Sequence, residues 1–264
     1  MPGCNQSPAR LEFLIAAMSQ STVSVILITK NEAAVIRQAL ASVAWADEIV
    51  VVDSGSTDDT VAICREYTDK VFVTDWPGFG PQKNRALAQA SCDWVLSIDA
   101  DERVTPELAT EIRSGVLDAG DHVFVVPRLS SFLGRPMRHG DWWPDEIPRL
   151  FRRGTARFSD DLVHERLVFD GRPVRLKSLL LHESMRSLDQ MLAKLNHYTT
   201  AGAERMARSG KQGSLGKAIG HGLWAFIRTY FLKRGILDGR EGFIVAVSAA
   251  ESAYYRYLKR LYMS

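Results

Sequence analysis

Val23-Ser24-Val25-Ile26-Leu27-Ile28 runs straight into Thr29-Lys30-Asn31-Glu32, and that junction decides the fold. The first six residues are a short apolar, β-branched run, as a strand buried on both faces requires. Residues 32–44 then carry Val35, Ile36, Leu40 and Val43 at helical spacing, and Glu48-Ile49-Val50-Val51-Val52 forms a second strand ending at Asp53. Strand, helix and strand make one βαβ unit. The alternation repeats as helix over 56–67, strand over 70–73, helix over 82–90, strand over 94–98, helix over 106–116 and strand over 122–126. It predicts an α/β fold with a mostly parallel central sheet, whose ligands bind beyond the carboxyl ends of the strands.

After Pro127 the alternation stops. Residues 128–182 are rich in Arg, Trp, Pro and Gly, with short strand-like runs around 147–151, 163–169 and 174–181, as expected of an insertion that shapes a pocket. Residues 187–208 and 215–262 return to helical spacing, with Leu215, Ile219, Leu223, Phe226 and Tyr230 on one face. Four segments result: a leader over 1–21, the alternating half over 22–127, a second half over 128–210, and a basic amphipathic helical extension over 211–264. The patterned sequence begins only at Val23, so the leader is expected to be disordered or to precede a natural start at Met18.

With 264 residues, 46% apolar and 24% charged, the chain can bury a full core. Cys4, Cys64 and Cys92 form neither an even disulfide framework nor a metal-ligand spacing, which points to a reducing, cytosolic compartment. The apolar run Leu11 to Met18 is interrupted by Glu12 and no small-residue cleavage pattern follows it, so it does not read as a secretion signal. No apolar run approaches the roughly 18 residues of a membrane span. The net charge of +2 conceals a segregation: residues 205–264 hold eleven Lys/Arg against three Asp/Glu, a local +8 that leaves −6 elsewhere. Such a tail meets an anionic surface, either lipid headgroups or nucleic acid.

The loop Thr29 to Glu32 contains no glycine, which disfavours a nicotinamide or flavin enzyme, and a Gly-rich phosphate loop ending in Lys-Ser/Thr is absent. Asn31 and Glu32, read by themselves, fit helix capping as well as they fit ligand contact. In Asp53-Ser54-Gly55-Ser56-Thr57-Asp58-Asp59-Thr60, Gly55 permits a tight turn, and Ser56 with Asp59 can form a box-like cap. Capping leaves Asp53 unexplained, an acid fixed at a strand end where a ligand is read. Asp99-Ala100-Asp101-Glu102 sets three carboxylates after the apolar strand Trp94 to Ile98, a repulsive grouping that a hard divalent ion such as Mg²⁺ or Mn²⁺ would relieve.

Thr29-Lys30-Asn31-Glu32, Asp53 to Asp58, Lys83-Asn84 and Asp99-Ala100-Asp101, in this order and spacing over residues 22–115, resemble a family 2 glycosyltransferase of the GT-A fold. Trp142-Trp143-Pro144, Pro148-Arg149-Leu150-Phe151, Val163-His164-Glu165 and Leu181-His182-Glu183 extend the resemblance to bacterial enzymes that glucosylate the lipopolysaccharide inner core. The resemblance implies that residues 22–127 bind a nucleotide-sugar donor and residues 128–210 the acceptor. It implies that Asp53 binds the nucleobase, Asp99 the ribose or sugar, and Asp101 a metal bridging the two phosphates, with Lys83 near the nucleotide. Glu165 falls where such enzymes carry the catalytic base, although many have Glu-Asp where this chain has His-Glu-Arg. His182 matches a histidine that completes the metal shell.

The candidate substrate-binding set is therefore Thr29, Asn31, Glu32, Asp53, Ser54, Lys83, Asp99, Trp142, Trp143 and Arg149, with Glu165 catalytic and Asp101 and His182 on the metal. The plainer alternatives are polar residues satisfied beside strands for His164 and His182, pairing with Arg166 or Arg149 for Glu165, and core packing for the two indoles. The resemblance implies an inverting transfer of glucose from UDP-glucose to a heptose of the lipopolysaccharide core. The expected partners are that donor, that acceptor and an anionic membrane surface, without nucleic acid, and the expected location is the inner face of the cytoplasmic membrane. A polyprenyl-phosphate sugar transferase shares nearly all the motifs, a nucleotidyltransferase would need a Gly-rich loop after the first strand, and a non-enzymatic binder of nucleic acid would use the basic tail alone.

Overall fold

The computed structural model describes residues 21–116, 122–160 and 165–263. Residues 1–20 of the leader, with Cys4 and Met18, and Val163 and His164 lie outside the described residues. In chain order the first elements are β1 (Val23–Thr29), α1 (Ile36–Ser42), β2 (Glu48–Asp53), α2 (Thr60–Arg65), β3 (Val71–Val73), α3 (Phe79–Gln89) and β4 (Trp94–Asp99). Next come β5 (Glu102–Val104), α4 (Pro106–Glu111), β6 (Phe124–Phe132), β7 (Arg135–Pro136), β8 (Glu146–Arg152), β9 (Ala156–Phe158), β10 (Leu167–Phe169), β11 (Val174–Arg175) and β12 (Leu180–Met185). Three helices close the chain: α5 (Leu188–Arg208), α6 (Leu215–Ile227) and α7 (Gly239–Tyr262). The residues group into two compact units, one of residues 21–100, 106–125 and 148–174, the other of 101–105, 126–147 and 175–263.

In the first unit β1 is central, with all seven residues buried. It pairs in parallel with β2 from Ser24↔Glu48 to Thr29↔Asp53, and with β4 from Val23↔Trp94 to Ile28↔Asp99. The register therefore brings Thr29, Asp53 and Asp99 to one end of the sheet. On the flanks β2 pairs in parallel with β3, and β4 antiparallel with β8. Ile26, Ile28, Val50 and Val52 pack against Ala86 and Ala90 and against Phe151 and Phe158. Helices α1 and α2 are shorter than their periodicity predicts, because residues 30–35 and 54–59 form turns instead. Cys64 in α2 is buried, and burial, with the nearby Asp53 charge, pushes its thiol up to about 12, which leaves it chemically quiet.

Two further arrangements hold the unit together at the ends of its strands. At the amino ends, Glu48 accepts from Ser24 Oγ (2.5 Å), Ser91 N (2.8 Å) and Ser91 Oγ (2.7 Å) and pairs with Lys70. Burial pushes this carboxyl up, but the Lys70 ammonium and the serine donors outweigh it and hold it at about 2. At the other end Gly80 is a contact point: a Cβ there would lie 1.8 Å from the Ser159 carbonyl oxygen.

In the second unit β12 runs parallel to β6, with His182 opposite Ser130, and antiparallel to β5, with His182 opposite Glu102. Phe132, Met137, Met191 and Val245 form its core. The stretch of helical spacing over 215–262 holds two helices, α6 and α7. After α6 the chain makes a π turn (Arg228–Leu232) and a 3-10 turn (Gly235–Asp238), with Arg234 and Gly239 in left-handed conformations (φ 56° and 67°). The contact is too close for a side chain, since a Cβ on Gly242 would lie 1.9 Å from the Gly235 carbonyl oxygen. Apolar spacing runs on through this break, so periodicity alone does not reveal it. No helix among the described residues is long and apolar enough to cross a membrane.

Two outcomes follow for stability. Gly80→Ala forces Ser159 away and is expected to cost about 3 kcal/mol, read as a fall of roughly 6–10 °C in Tm. Because Glu48 titrates lower in the folded chain than in the unfolded one, its contribution is complete above about pH 5 and is lost as pH falls toward 2. Glu48→Gln should therefore destabilise the chain at pH 7 by on the order of 2 kcal/mol, read as a lower Tm, and the gap from wild type should close only as pH approaches about 2.

Candidate active site

The turns at the carboxyl ends of β1 and β2 are stitched to one another. Asn31, in a left-handed conformation (φ 55°) that asparagine tolerates, donates its N–H to Ser56 Oγ (2.8 Å) and accepts at Oδ1 from Thr57 N (2.8 Å). Glu32 N donates to Thr60 Oγ1 (2.8 Å), and Ala33 N to Asp58 Oδ2 (3.2 Å). Asp58 Oδ1 accepts from the backbone and hydroxyl of Thr60, whose hydrogen bonds hold this carboxyl below its usual range. Asp59 stands at the N-cap of α2 without a side-chain cap hydrogen bond, so the predicted pairing of Ser56 with Asp59 does not form, and the Thr60 N–H goes to Asp58 instead.

Asp53 also receives a local explanation that capping rules did not offer. Its Oδ1 accepts from Gly55 N (2.9 Å) and Ser56 N (2.8 Å), its Oδ2 accepts from Ser56 Oγ, and the side chain is fully buried. Gly55, at φ 79°, closes the turn around it. Beside it, Ser54 Oγ accepts from Gln82 Nε2 (2.9 Å), which also reaches Thr74 Oγ1 (2.9 Å). Gln82 is fully buried and was not singled out by motif reading, because a lone glutamine in a helix carries no sequence signal. Thr29 is buried too, and its hydroxyl has no hydrogen-bond partner among the described residues.

At the end of β4, four charges form a chain. Arg149 meets Asp99 Oδ2 at 2.5 Å, Lys83 Nζ lies 2.9 Å from Asp99 Oδ1 and 3.0 Å from Glu165 Oε1, and Lys83 faces the Phe158 ring at 5.6 Å. Both cations are buried, with side chains 6% and 7% exposed. Burial works against the charged form of Asp99, but Arg149 and Lys83 outweigh it and keep this carboxyl far below the usual range. Glu165 thus pairs with Lys83, and the structure brings together Lys83, Asp99, Arg149 and Glu165, whose extremes lie 82 residues apart in the chain. Asn84 ties α3 to β9, giving Nδ2 to the Phe158 carbonyl and taking Phe158 N at Oδ1, both at 2.9 Å.

In the second unit Asp101 Oδ2 lies 3.4 Å from His182 Nε2, while His182 Nδ1 is 2.8 Å from Ser130 Oγ. Glu102 points elsewhere: it is fully buried and binds Arg128 at 3.0 Å. The repulsion argued from three adjacent carboxylates is therefore met by the protein's own groups, Arg149 and Lys83 on Asp99 and Arg128 on Glu102. Among the described residues no group of three His, Cys, Asp or Glu side chains is placed to hold a metal. The Asp101–His182 pair, with its imidazole oriented by Ser130, nonetheless has the donor chemistry of a partial divalent-metal site. Trp142 packs edge-on to Phe132 (6.0 Å) and lines a cavity of about 210 Å³, and Trp143 lies under Arg138 (5.9 Å); both indoles are half-buried.

The family Glycosyl transferase family 2 matches residues 24–169. The chain is 31% identical over 253 residues to an uncharacterized glycosyltransferase of Rickettsia felis, covering 90% of this chain and 88% of that one. It is 33% identical over 241 residues to the lipopolysaccharide core biosynthesis glycosyltransferase LpsC of Rhizobium meliloti, covering 88% and 89%. Among solved structures, Staphylococcus aureus TarS 1–349 in complex with UDP aligns with a TM-score of 0.47 at 20% identity, over 66% of this chain and 63% of that one. The expected α/β class, with its mostly parallel sheet and C-terminal helices, is the one observed. With a family match across more than half its length and relatives aligned over nearly all of it, the chain belongs to glycosyl transferase family 2.

Proposed function

We propose that the chain transfers glucose from UDP-glucose to a heptose of the lipopolysaccharide core, with inversion at the anomeric carbon, as a peripheral enzyme on the inner face of the cytoplasmic membrane. The observation that carries the reading is the charge chain Arg149–Asp99–Lys83–Glu165, which presents an oriented carboxylate, Glu165, beside the motif acid Asp99. Similarity to a lipopolysaccharide core enzyme along nearly the whole chain supports the acceptor class.

In this mechanism Glu165 accepts the proton of an acceptor hydroxyl as that oxygen attacks the anomeric carbon, and the bond from carbon to the diphosphate oxygen breaks. Lys83 orients Glu165 and Asp99 together, and Arg149 fixes Asp99 toward the ribose or sugar. The buried, unsatisfied hydroxyl of Thr29 suits a donor contact, because orphaned buried polar groups are rare without one. Asn31, Glu32, Asp53 and Ser54 shape the turns that receive the nucleotide, Asp53 through its turn. Asp101 and His182 would hold Mg²⁺ or Mn²⁺, which when bound supplies positive charge to the leaving diphosphate. Trp142 and Trp143 offer flat apolar faces to the acceptor sugar.

The test is turnover of a panel of UDP-, GDP- and ADP-sugars by the purified chain, with Mn²⁺, with Mg²⁺ and with chelator, against core oligosaccharide and against polyprenyl phosphate. UDP-glucose with the core acceptor should be turned over in a metal-dependent way, and Asp101→Ala should lose most of that turnover. Glu165→Gln should lower kcat by about 10²- to 10⁴-fold while UDP binding persists. Full kcat in Glu165→Gln would remove the base assignment, binding of no donor would end the transfer reading, and preference for the lipid phosphate would reassign the acceptor.

A further inference from the structure

Helix α6 is amphipathic in the unexpected sense. The residues it buries are small, Ala218 and Gly222, and a Cβ on Gly222 would lie 3.3 Å from the Ala250 carbonyl oxygen and 3.4 Å from Tyr254 Cβ. Close approach of α6 to α7 thus uses its narrow face. Its large apolar side chains point to solvent: Leu215, Ile219 and Leu223, four residues apart, are 54%, 55% and 60% exposed, with Trp224 beside them. The π turn adds Phe231 and Leu232, and the 3-10 turn continues with Ile236 and Leu237, all exposed. A helix that only covers a core does the reverse, and soluble monomers rarely display a contiguous apolar patch of this kind without a partner for it.

The charge around this patch identifies the partner. Between Glu204 and Asp238 the chain carries seven Lys/Arg and no Asp/Glu. Arg228 and Lys233 meet Asp141 at 2.7 and 3.2 Å yet stay about half exposed, and Lys211, Lys217 and Arg234 make no ion pair among the described residues. A symmetric contact with a second copy would set these cations against their own counterparts, with no carboxylate within the 205–237 stretch to relieve them. A bilayer rich in anionic phospholipid suits both features, since leucine and aromatic side chains enter the acyl boundary while lysine and arginine meet the phosphates. We propose that the face built by α6 and the two turns after it is a docking surface for an anionic phospholipid bilayer, with α6 lying in the headgroup plane. The proposal rests on the peripheral reading of the enzyme and assigns it a surface.

The experiment is flotation of the full chain with vesicles of phosphatidylcholine alone and of phosphatidylcholine with phosphatidylglycerol, at low and high salt, beside donor turnover measured without vesicles. Wild type should float with the anionic vesicles at low salt only. The double variant Ile219→Glu/Leu223→Glu should stay at the bottom, and Lys217→Gln/Arg234→Gln should lose about fivefold in partitioning for each cation removed, with its apolar face intact. Vesicle-free turnover should equal wild type in both. Absence of flotation at low salt, or equal flotation of wild type and both variants, overturns the proposal. So does a wild-type dimer in solution that Ile219→Glu/Leu223→Glu converts to a monomer, because the face then belongs to a second copy. Failure of donor turnover with flotation intact removes the transferase reading and leaves the docking surface standing.

Discussion

A buried ammonium has to be paired, and Lys83 is the one on which the first unit's chemistry converges. It meets Asp99 from a central strand and Glu165 from a segment 82 residues further along the chain. The turn of α3 that presents it also presents Gly80, Gln82 and Asn84, and each neighbour serves the same junction. Gly80 lets the Ser159 backbone come within contact of the helix, Asn84 grips both backbone groups of Phe158, and Gln82 reaches Ser54 and Thr74. Removing one member of such a buried set leaves another charge stranded, at a cost of about 3–5 kcal/mol. The position of Glu165 thus follows from one helical turn.

The parallel register explains why this turn faces the right loops. Because β1 lies between β2 and β4 and all three run the same way, Thr29, Asp53 and Asp99 finish together. Their loops then support one another through side chains, Asn31 with Ser56 and Thr57, and Ala33 with Asp58. A dinucleotide-binding loop achieves its tight turn with glycines, whereas here the work is done by Asx and serine hydrogen bonds, with a single glycine at φ 79°.

What could be read from the sequence follows from the same physics. Strands β1, β2 and β4 were legible because burial on both faces demands a largely apolar run, and Asp53 and Asp99 were legible because β2 and β4 stop on them. The roles of those acids were less so. Asp53 organises its own turn and Glu102 neutralises Arg128, and a motif records the residue type without its direction. Gln82 escaped notice because its value is in spanning two loops that are adjacent only after folding. The break between α6 and α7 was hidden for a different reason: apolar spacing persists through it, while the left-handed Arg234 and the glycine contact that impose it have no periodic signature.

In the second unit the same break has a structural use. Asp238, buried in the 3-10 turn, accepts from the backbone N–H groups of Arg138 (3.1 Å) and His139 (2.8 Å) and meets His139 Nδ1 at 2.9 Å. Gly140 N donates to the Lys233 carbonyl (2.8 Å), and Asp141 takes the side chains of Arg228 and Lys233. Residues 138–141, which lead directly into Trp142 and Trp143, are therefore bound to the turns that follow α6. A continuous helix over 215–262 would offer neither Asp238 in its buried position nor the Lys233 carbonyl, whose own helical donor would occupy it. The turns that carry exposed Phe231 and Leu232 are thus also the turns that fix the base of the tryptophan loop. Within this unit the outward apolar surface and the entry to the two indoles thus share one set of hydrogen bonds and ion pairs, centred on Asp238 and Asp141.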